Sequence, residues 1–135
     1  MSLLVDTSVW SLAFRREPAS KHAAVVRLRD ALAHDEELYT TGLVLQELLQ
    51  GLKGPRQRTS LIARFDALPF IVPTREDHIA AATLRNKCRT RGVQLGTIDA
   101  LLAQLCVDRE LGLLTSDRDF AHAARHIPLT LAVPP

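Results

Sequence analysis

A chain of 135 residues, 47% hydrophobic and 24% charged, is long enough for one proper core and too apolar for disorder. A formal net charge of only +2 carries no strong signal for a polyanionic partner. The few aromatics (Trp10, Tyr39 and four Phe) argue against a platform for stacking nucleic-acid bases.

Leu3-Leu4-Val5 is a short apolar run that predicts a buried strand. Asp6-Thr7-Ser8 supplies helix-capping chemistry for a short helix from Val9 to about Phe14. Pro18 and Ser20 are expected to open a longer helix to about His34, with Ala24, Val25, Leu28, Ala31 and Leu32 on one face. Leu38-Tyr39-Thr40 predicts a second strand, ended by Gly42 before a helix through Leu52. The Gly54-Pro55 turn precedes a fourth helix to about Leu68, and Phe70-Ile71-Val72 between prolines predicts a strand near a sheet edge. A helix from Arg75 to Arg91 is closed by Gly92, and one from Thr97 to Glu110 by Gly112. Leu113-Leu114-Thr115, a helix from Asp119 to His126, and a strand at Leu129-Thr130-Leu131 complete the order. Short apolar strands alternating with helices predict one α/β domain over residues 1–135, its parallel sheet covered on both faces.

Four acids interrupt apolar runs: Asp6 in SLLVDTSVW, Glu47 in GLVLQELLQGL, Asp99 in LGTIDALLAQLC and Asp117 in LGLLTSDRDF. Burying one carboxylate is costly, and burying several together adds repulsion. A bound cation relieves both, and a set of hard oxygen ligands suits Mg²⁺ or Mn²⁺ better than zinc. Asp6 and Asp117 follow strands, at the carboxyl edge of the sheet where α/β proteins bind ligands.

Each acid also has a plainer reading. Asp6 and Asp117 are both placed to cap the helices that follow them. Asp99 falls in a first helical turn if Thr97 is the cap, where acids oppose the helix dipole. Its neighbours Leu102, Ala103 and Cys106, however, turn it toward an apolar face. Glu47 borders an apolar stripe and shares a face with Gly51, which leaves a notch one turn away. Asp119 stands ready to bind metal through water, to cap, or to pair with Arg118.

Other chemistries find little support. His122 and His126 have the i, i+4 spacing of a zinc pair, but no HExxH glutamate or nearby Cys accompanies them. There is no GxSxG elbow, phosphate loop or GxGxxG fingerprint. Cys88 and Cys106 lie in helical patterns without ligand spacing and are expected to be buried free thiols. No apolar stretch reaches transmembrane length and no secretory signal is visible, so a cytoplasmic location is expected. Setting the four acids aside leaves 11 others against 17 Lys and Arg, a surplus that favours a polyanion. Candidate phosphate contacts are Arg15 and Arg16, Lys53 with Arg56 and Arg58, and the run Arg85, Lys87, Arg89, Arg91; such runs are also common on solvated helix ends.

Together LLVDTSVW, ELLQG, TIDALLAQL and LLTSDRDF, in this order and over essentially the whole chain, resemble a PIN-domain ribonuclease, most closely the VapC-type toxins of bacterial toxin–antitoxin pairs. The resemblance implies a three-layer α/β/α sandwich with a central parallel sheet. It also implies an acidic Mg²⁺ or Mn²⁺ site built from Asp6, Glu47, Asp99 and Asp117. Ser8 and Thr115 match supporting polar positions, and Asp119 an accessory acid. The implied activity is endoribonuclease cleavage by water, leaving a 5′-phosphate and a 3′-hydroxyl. The implied partners are RNA, a VapB-like antitoxin and a second copy of the chain in a homodimer, with no membrane. Two readings from other classes remain beside it. One is a phosphotransfer domain with Asp6 as acceptor, although no DxDxT motif is present. The other is a non-enzymatic interaction domain whose acids are only caps, which calorimetry with Mn²⁺ would separate.

Overall fold

In a computed structural model, which describes residues 1–15 and 21–134, the elements alternate as the apolar pattern requires. They are β1 (Leu3–Val5), α1 (Thr7–Ala13), α2 (Ala23–Ala33), β2 (Leu38–Thr41), α3 (Gly42–Gln50), α4 (Pro55–Phe65), β3 (Phe70–Ile71), α5 (Arg75–Thr90), α6 (Thr97–Arg109), β4 (Gly112–Leu114), α7 (Arg118–Ala123) and β5 (Thr130–Leu131). The strands form one five-stranded sheet in the order β3-β2-β1-β4-β5, parallel throughout. Successive strand residues point to opposite faces. Leu3, Leu4 and Val5 are nevertheless all fully buried, as are Leu113 and Leu114, so helices cover the sheet on both sides. This is an α/β/α sandwich. Each of these side chains contributes roughly 1.5–3 kcal/mol through burial.

The strand order reverses between β1 and β4. The chain builds outward from β1 through β2 to β3, then returns to pair β4 against the other side of β1. Loops leaving the carboxyl ends of β1 and β4 therefore diverge, and the crevice between them is where α/β sheets bind ligands. The backbone N–H of Asp6 donates to the carbonyl of Leu114 at 2.9 Å, so the two strand ends meet at that crevice.

Helices α5 and α6 form a hairpin that delivers Asp99 to the same edge. Its far end is locked by Arg109, whose two Nη atoms reach the Asp77 carboxylate at 3.1 and 3.0 Å. Thr74 and Asp77 also complete a capping box at the start of α5. Gly92, at φ +80, closes α5 in a left-handed turn that disfavours any side chain. The connecting loop is tied down where Arg85 Nε donates to the Leu95 carbonyl at 2.7 Å.

Several boundaries differ from expectation for local reasons. Helix α2 begins at Ala23, with the His22 ring accepting from the Ala24 N–H at 3.1 Å; Pro18 and Ser20 lie outside the described residues. Gly96, not Thr97, occupies the cap of α6. The same helix is closed by Glu110 in the left-handed region (φ 54) and not by Gly112. Gly112 instead opens β4, where a Cβ would lie 2.6 Å from the Met1 sulfur and 3.0 Å from Leu3 Cδ2. That glycine serves close packing rather than helix termination. Helix α7 stops at Ala123, so His122 and His126 do not share one helical face and the zinc-pair spacing loses its meaning. Both cysteines are buried and free, as expected.

Candidate active site

Asp6 and Asp117 look alike in sequence, each leaving a strand for a helix, but their side chains do different things. Asp6 holds the cap position of α1 without making any side-chain cap bond. Its Oδ2 instead accepts from Ser8 Oγ at 2.8 Å and from Thr115 Oγ1 at 2.9 Å. Each hydroxyl has its own lone pair engaged by a backbone N–H, that of Ser116 on Ser8 (3.2 Å) and that of Asp117 on Thr115 (3.0 Å). With an acceptor position filled, the single hydroxyl proton is turned to Asp6. Asp6, only 6% exposed, is thus held by Oδ2 in a two-hydroxyl cradle across β1 and β4. Oδ1 takes no part in it. The capping reading of Asp6 is corrected accordingly: the hydroxyls of Ser8, in α1, and Thr115, just after β4, take its Oδ2 in place of the local helix N–H groups.

Asp117 does cap. Its Oδ1 accepts from the Asp119 N–H at 2.9 Å, at the start of α7. This bond uses one oxygen and leaves the other for a second partner. Asp119 is exposed and enters the arrangement through that backbone bond.

Glu47 reaches the crevice from the middle of α3. Thr7 Oγ1, on the first residue of α1, donates to Glu47 Oε1 at 3.1 Å. Glu47 and Gly51 together line a cavity of about 230 Å³ with Ser11, Phe14 and Arg15, so the notch expected from their spacing is present. Thr7 is the site residue that sequence reasoning missed. Its hydroxyl is conspicuous beside Asp6, but a partner forty positions away is set by how α1 packs on α3.

Asp99 lies half-buried in the first turn of α6. Its carboxyl is pushed up to about 6, first by burial and then by the charges of Asp6, Asp117, Glu47 and Asp119. Four acids from three other places in the chain therefore converge electrostatically on one group. The ion pairs between described residues lie elsewhere, at Arg27, His34 and Arg109. Among the described residues no three His, Cys, Asp or Glu side chains close into a ready-made ion cage. The acids confront one another across the crevice without collapsing onto it.

The donor set is one of hard oxygens: carboxylates at Asp6, Glu47, Asp99 and Asp117. Cys106 is close enough to feel Asp6, but burial drives its thiol far above the usual range and keeps it neutral. Oxygen-only ligands with excess negative charge fit a divalent hard cation.

The basic candidates are spread out. Arg15 is exposed beside the Glu47 notch, while Lys53, Lys87 and Arg89 are exposed on other helix ends. Arg85 is half-buried and bonded to Leu95. Arg16 lies outside the described residues.

A parallel α/β/α sandwich with an oxygen-only acidic crevice at its switch point defines the class. The PIN domain family model matches residues 3–126, and the chain belongs to that family. Solved structures share the fold. VapBC2 from Rickettsia felis, bound to a DNA fragment from its promoter, is 22% identical with a TM-score of 0.74, covering 97% of each chain. FitAcB from Neisseria gonorrhoeae is 23% identical with a TM-score of 0.68, covering 98% of this chain and 97% of that one. Mycobacterium tuberculosis VapC20, described as a toxin cleaving the sarcin–ricin loop, is 19% identical with a TM-score of 0.72, covering 98% and 99%. No curated protein sequence matches the chain. Among the described residues no helix is long and apolar enough to cross a membrane.

Proposed function

We propose that the chain is a VapC-type endoribonuclease, the toxin of a type II toxin–antitoxin pair, hydrolysing RNA phosphodiester bonds with Mg²⁺ or Mn²⁺. One observation carries the reading: Asp99, half-buried in the first turn of α6, is raised to about 6 by burial and by the charges of Asp6, Asp117, Glu47 and Asp119. A fold spends stability on such crowding where a cation is to be held. Family membership supports nuclease activity in general, and the toxins among the structural neighbours support the narrower reading.

Asp6, Asp99 and Asp117 would hold the ion, with Glu47 binding directly or through water. When bound, a divalent ion lowers the pKa of a coordinated water and offsets charge on the phosphate oxygens. The chain's own groups do the rest. Ser8 and Thr115 hold Asp6 by Oδ2, so that Oδ1 would be the oxygen offered to the ion. Asp117 is fixed by its cap bond and keeps its second oxygen available. Thr7 steadies Glu47, which would take the proton from the attacking water where it does not hold the ion itself. Attack by water, and not by the ribose 2′-hydroxyl, leaves a 5′-phosphate and a 3′-hydroxyl.

The proposed partners are a VapB-like antitoxin and a second copy of the chain, supported by neighbours solved as VapBC and FitAcB assemblies. Exposed Phe70 and Val72 at the β3 edge and Ile79 on α5 offer apolar surface for such contacts. The test is to map the ends of cellular RNA after brief expression, then repeat cleavage with purified protein in Mg²⁺ and in chelator. Ends with a 5′-phosphate that vanish in chelator are expected. Cleavage unaffected by chelator, or 2′,3′-cyclic ends, would remove the metal-activated water.

A further inference from the structure

Between α5, the first turn of α6 and the start of α3 lies a cavity of about 420 Å³. That volume is at the lower end of the roughly 300–1,000 Å³ typical of small-ligand pockets. Its polar lining is His78, Arg85, Asn86 and Thr97, with Leu43 and Leu101 among the apolar walls, and no acid lines it. Arg85 is the notable member. It is half-buried, its Nε is committed to the Leu95 carbonyl, and among the described residues no carboxylate pairs with it. A guanidinium anchored by Nε keeps both Nη groups free as a fork, the geometry that matches a phosphate. Burying such a cation without a counter-charge is costly, and an anionic ligand removes that cost.

The cavity also adjoins the acid crevice. Thr97, Ile98, Ala100 and Leu101 line it, while Asp99 of the same helical turn faces the other acids. The first turn of α6 is thus shared by the cavity and by the acid crevice. Exposed Arg89, one turn further along α5 on the face of Arg85, continues the positive path.

We propose that this cavity binds one nucleotide of the RNA strand flanking the cleaved bond. Arg85 forks onto its phosphate, and Asn86 and Thr97 hydrogen-bond its base or sugar. The inference rests on the ribonuclease reading and adds the place where the strand is gripped beyond the metal site.

The probe is a short fluorescein-labelled single-stranded RNA of mixed sequence, titrated in chelator so that binding is read without cleavage. Ala82→Trp fills the cavity from α5 without touching the Arg85–Leu95 bond, and Arg85→Lys keeps the charge but removes the fork. Both are expected to weaken binding by about tenfold at unchanged Mn²⁺ affinity, Ala82→Trp at unchanged melting temperature and Arg85→Lys with a small drop from the lost Leu95 bond. Arg85→Ala should in addition lower the salt dependence of binding by about one phosphate contact. If Ala82→Trp fails to fold, Arg85→Lys and Asn86→Ala carry the test. Wild-type RNA affinity in these variants overturns the cavity assignment and leaves the ribonuclease reading standing. A wild-type protein that neither binds nor cleaves RNA removes both. A change of oligomeric state on size-exclusion chromatography, with RNA affinity retained, overturns the assignment in favour of a second copy covering the cavity.

Discussion

The two ends of the α5–α6 hairpin treat a carboxylate in opposite ways. At the far end Asp77 is 6% exposed, forked by Arg109, and held down to about 2 by that pair and by its capping bond to Thr74. At the near end Asp99 is half-buried, faces only like charges, and is raised to about 6. The same helix pair thus contains one acid whose charge is compensated within the fold and one whose charge is not. Compensation marks a residue that serves stability, and its absence marks one that serves a ligand.

The comparison breaks most sharply at Asp99. Asp99→Asn is expected to lower RNA cleavage by at least about a hundredfold. The melting temperature in chelator should be unchanged or higher, because a repelled charge has been removed. An active mutant would take Asp99 out of the mechanism. A large loss of metal-free stability would make it a structural acid like Asp77.

Asp77→Asn should do the reverse. Removing one partner leaves Arg109 partly buried and uncompensated and weakens the capping box, at a cost of about 3 kcal/mol. Denaturant midpoints report that loss, while Mn²⁺ affinity of the folded protein should not move. Equal losses of stability in both mutants would erase the distinction.

The pH dependence of stability sharpens the same contrast. Asp77 is lowered from 3.8 to about 2, so its contribution is present above pH 3.8 and is lost as pH falls toward 2. Asp99 is raised from 3.8 to about 6, so the folded chain keeps its proton longer than the unfolded chain. Its contribution therefore declines as pH rises from 3.8 through 6, by at most about 3 kcal/mol. Urea midpoints in chelator should fall across that window in the wild type and fall less in Asp99→Asn. Parallel profiles would mean that Asp99 titrates normally.

Much of the fold could be read from residue patterns because burial leaves a local trace. The unbroken apolar runs of β1 and β4 signal a sheet covered on both faces, and Asp6 and Asp117 follow them directly. The convergence of the four acids was also legible, since each interrupts an apolar run. Local pattern could not tell which aspartate caps and which is cradled, because the deciding donor, Thr115, follows β4, 109 positions away. Nor could it show that Gly112 opens a strand. The conflict there is a tertiary one with Met1 and Leu3, while Glu110 absorbs the left-handed cap at about 1–2 kcal/mol. Arg85 looked like one member of a solvated basic run, and only the path of the Leu95 loop distinguishes it from Lys87 and Arg89.

The smallest expected effect tests whether the crevice also depends on residues that hold the acids. Thr7 contributes one hydroxyl bond to Glu47, a neutral donor on a charged acceptor, worth about 1–2 kcal/mol. Thr7→Val keeps the shape and branching of the first residue of α1 but removes the donor. Cleavage should fall by about 5- to 20-fold, mostly in kcat, with little change in melting temperature. Thr7→Ser should restore most of it, since the hydroxyl returns. A purely packing role for Thr7 predicts the opposite ranking, with valine tolerated and serine impaired. Full activity in Thr7→Val would leave Glu47 positioned by α3 alone, and the arrangement would then resemble Asp77, an acid fixed by its own helix pair, more than Asp6, an acid held across the sheet.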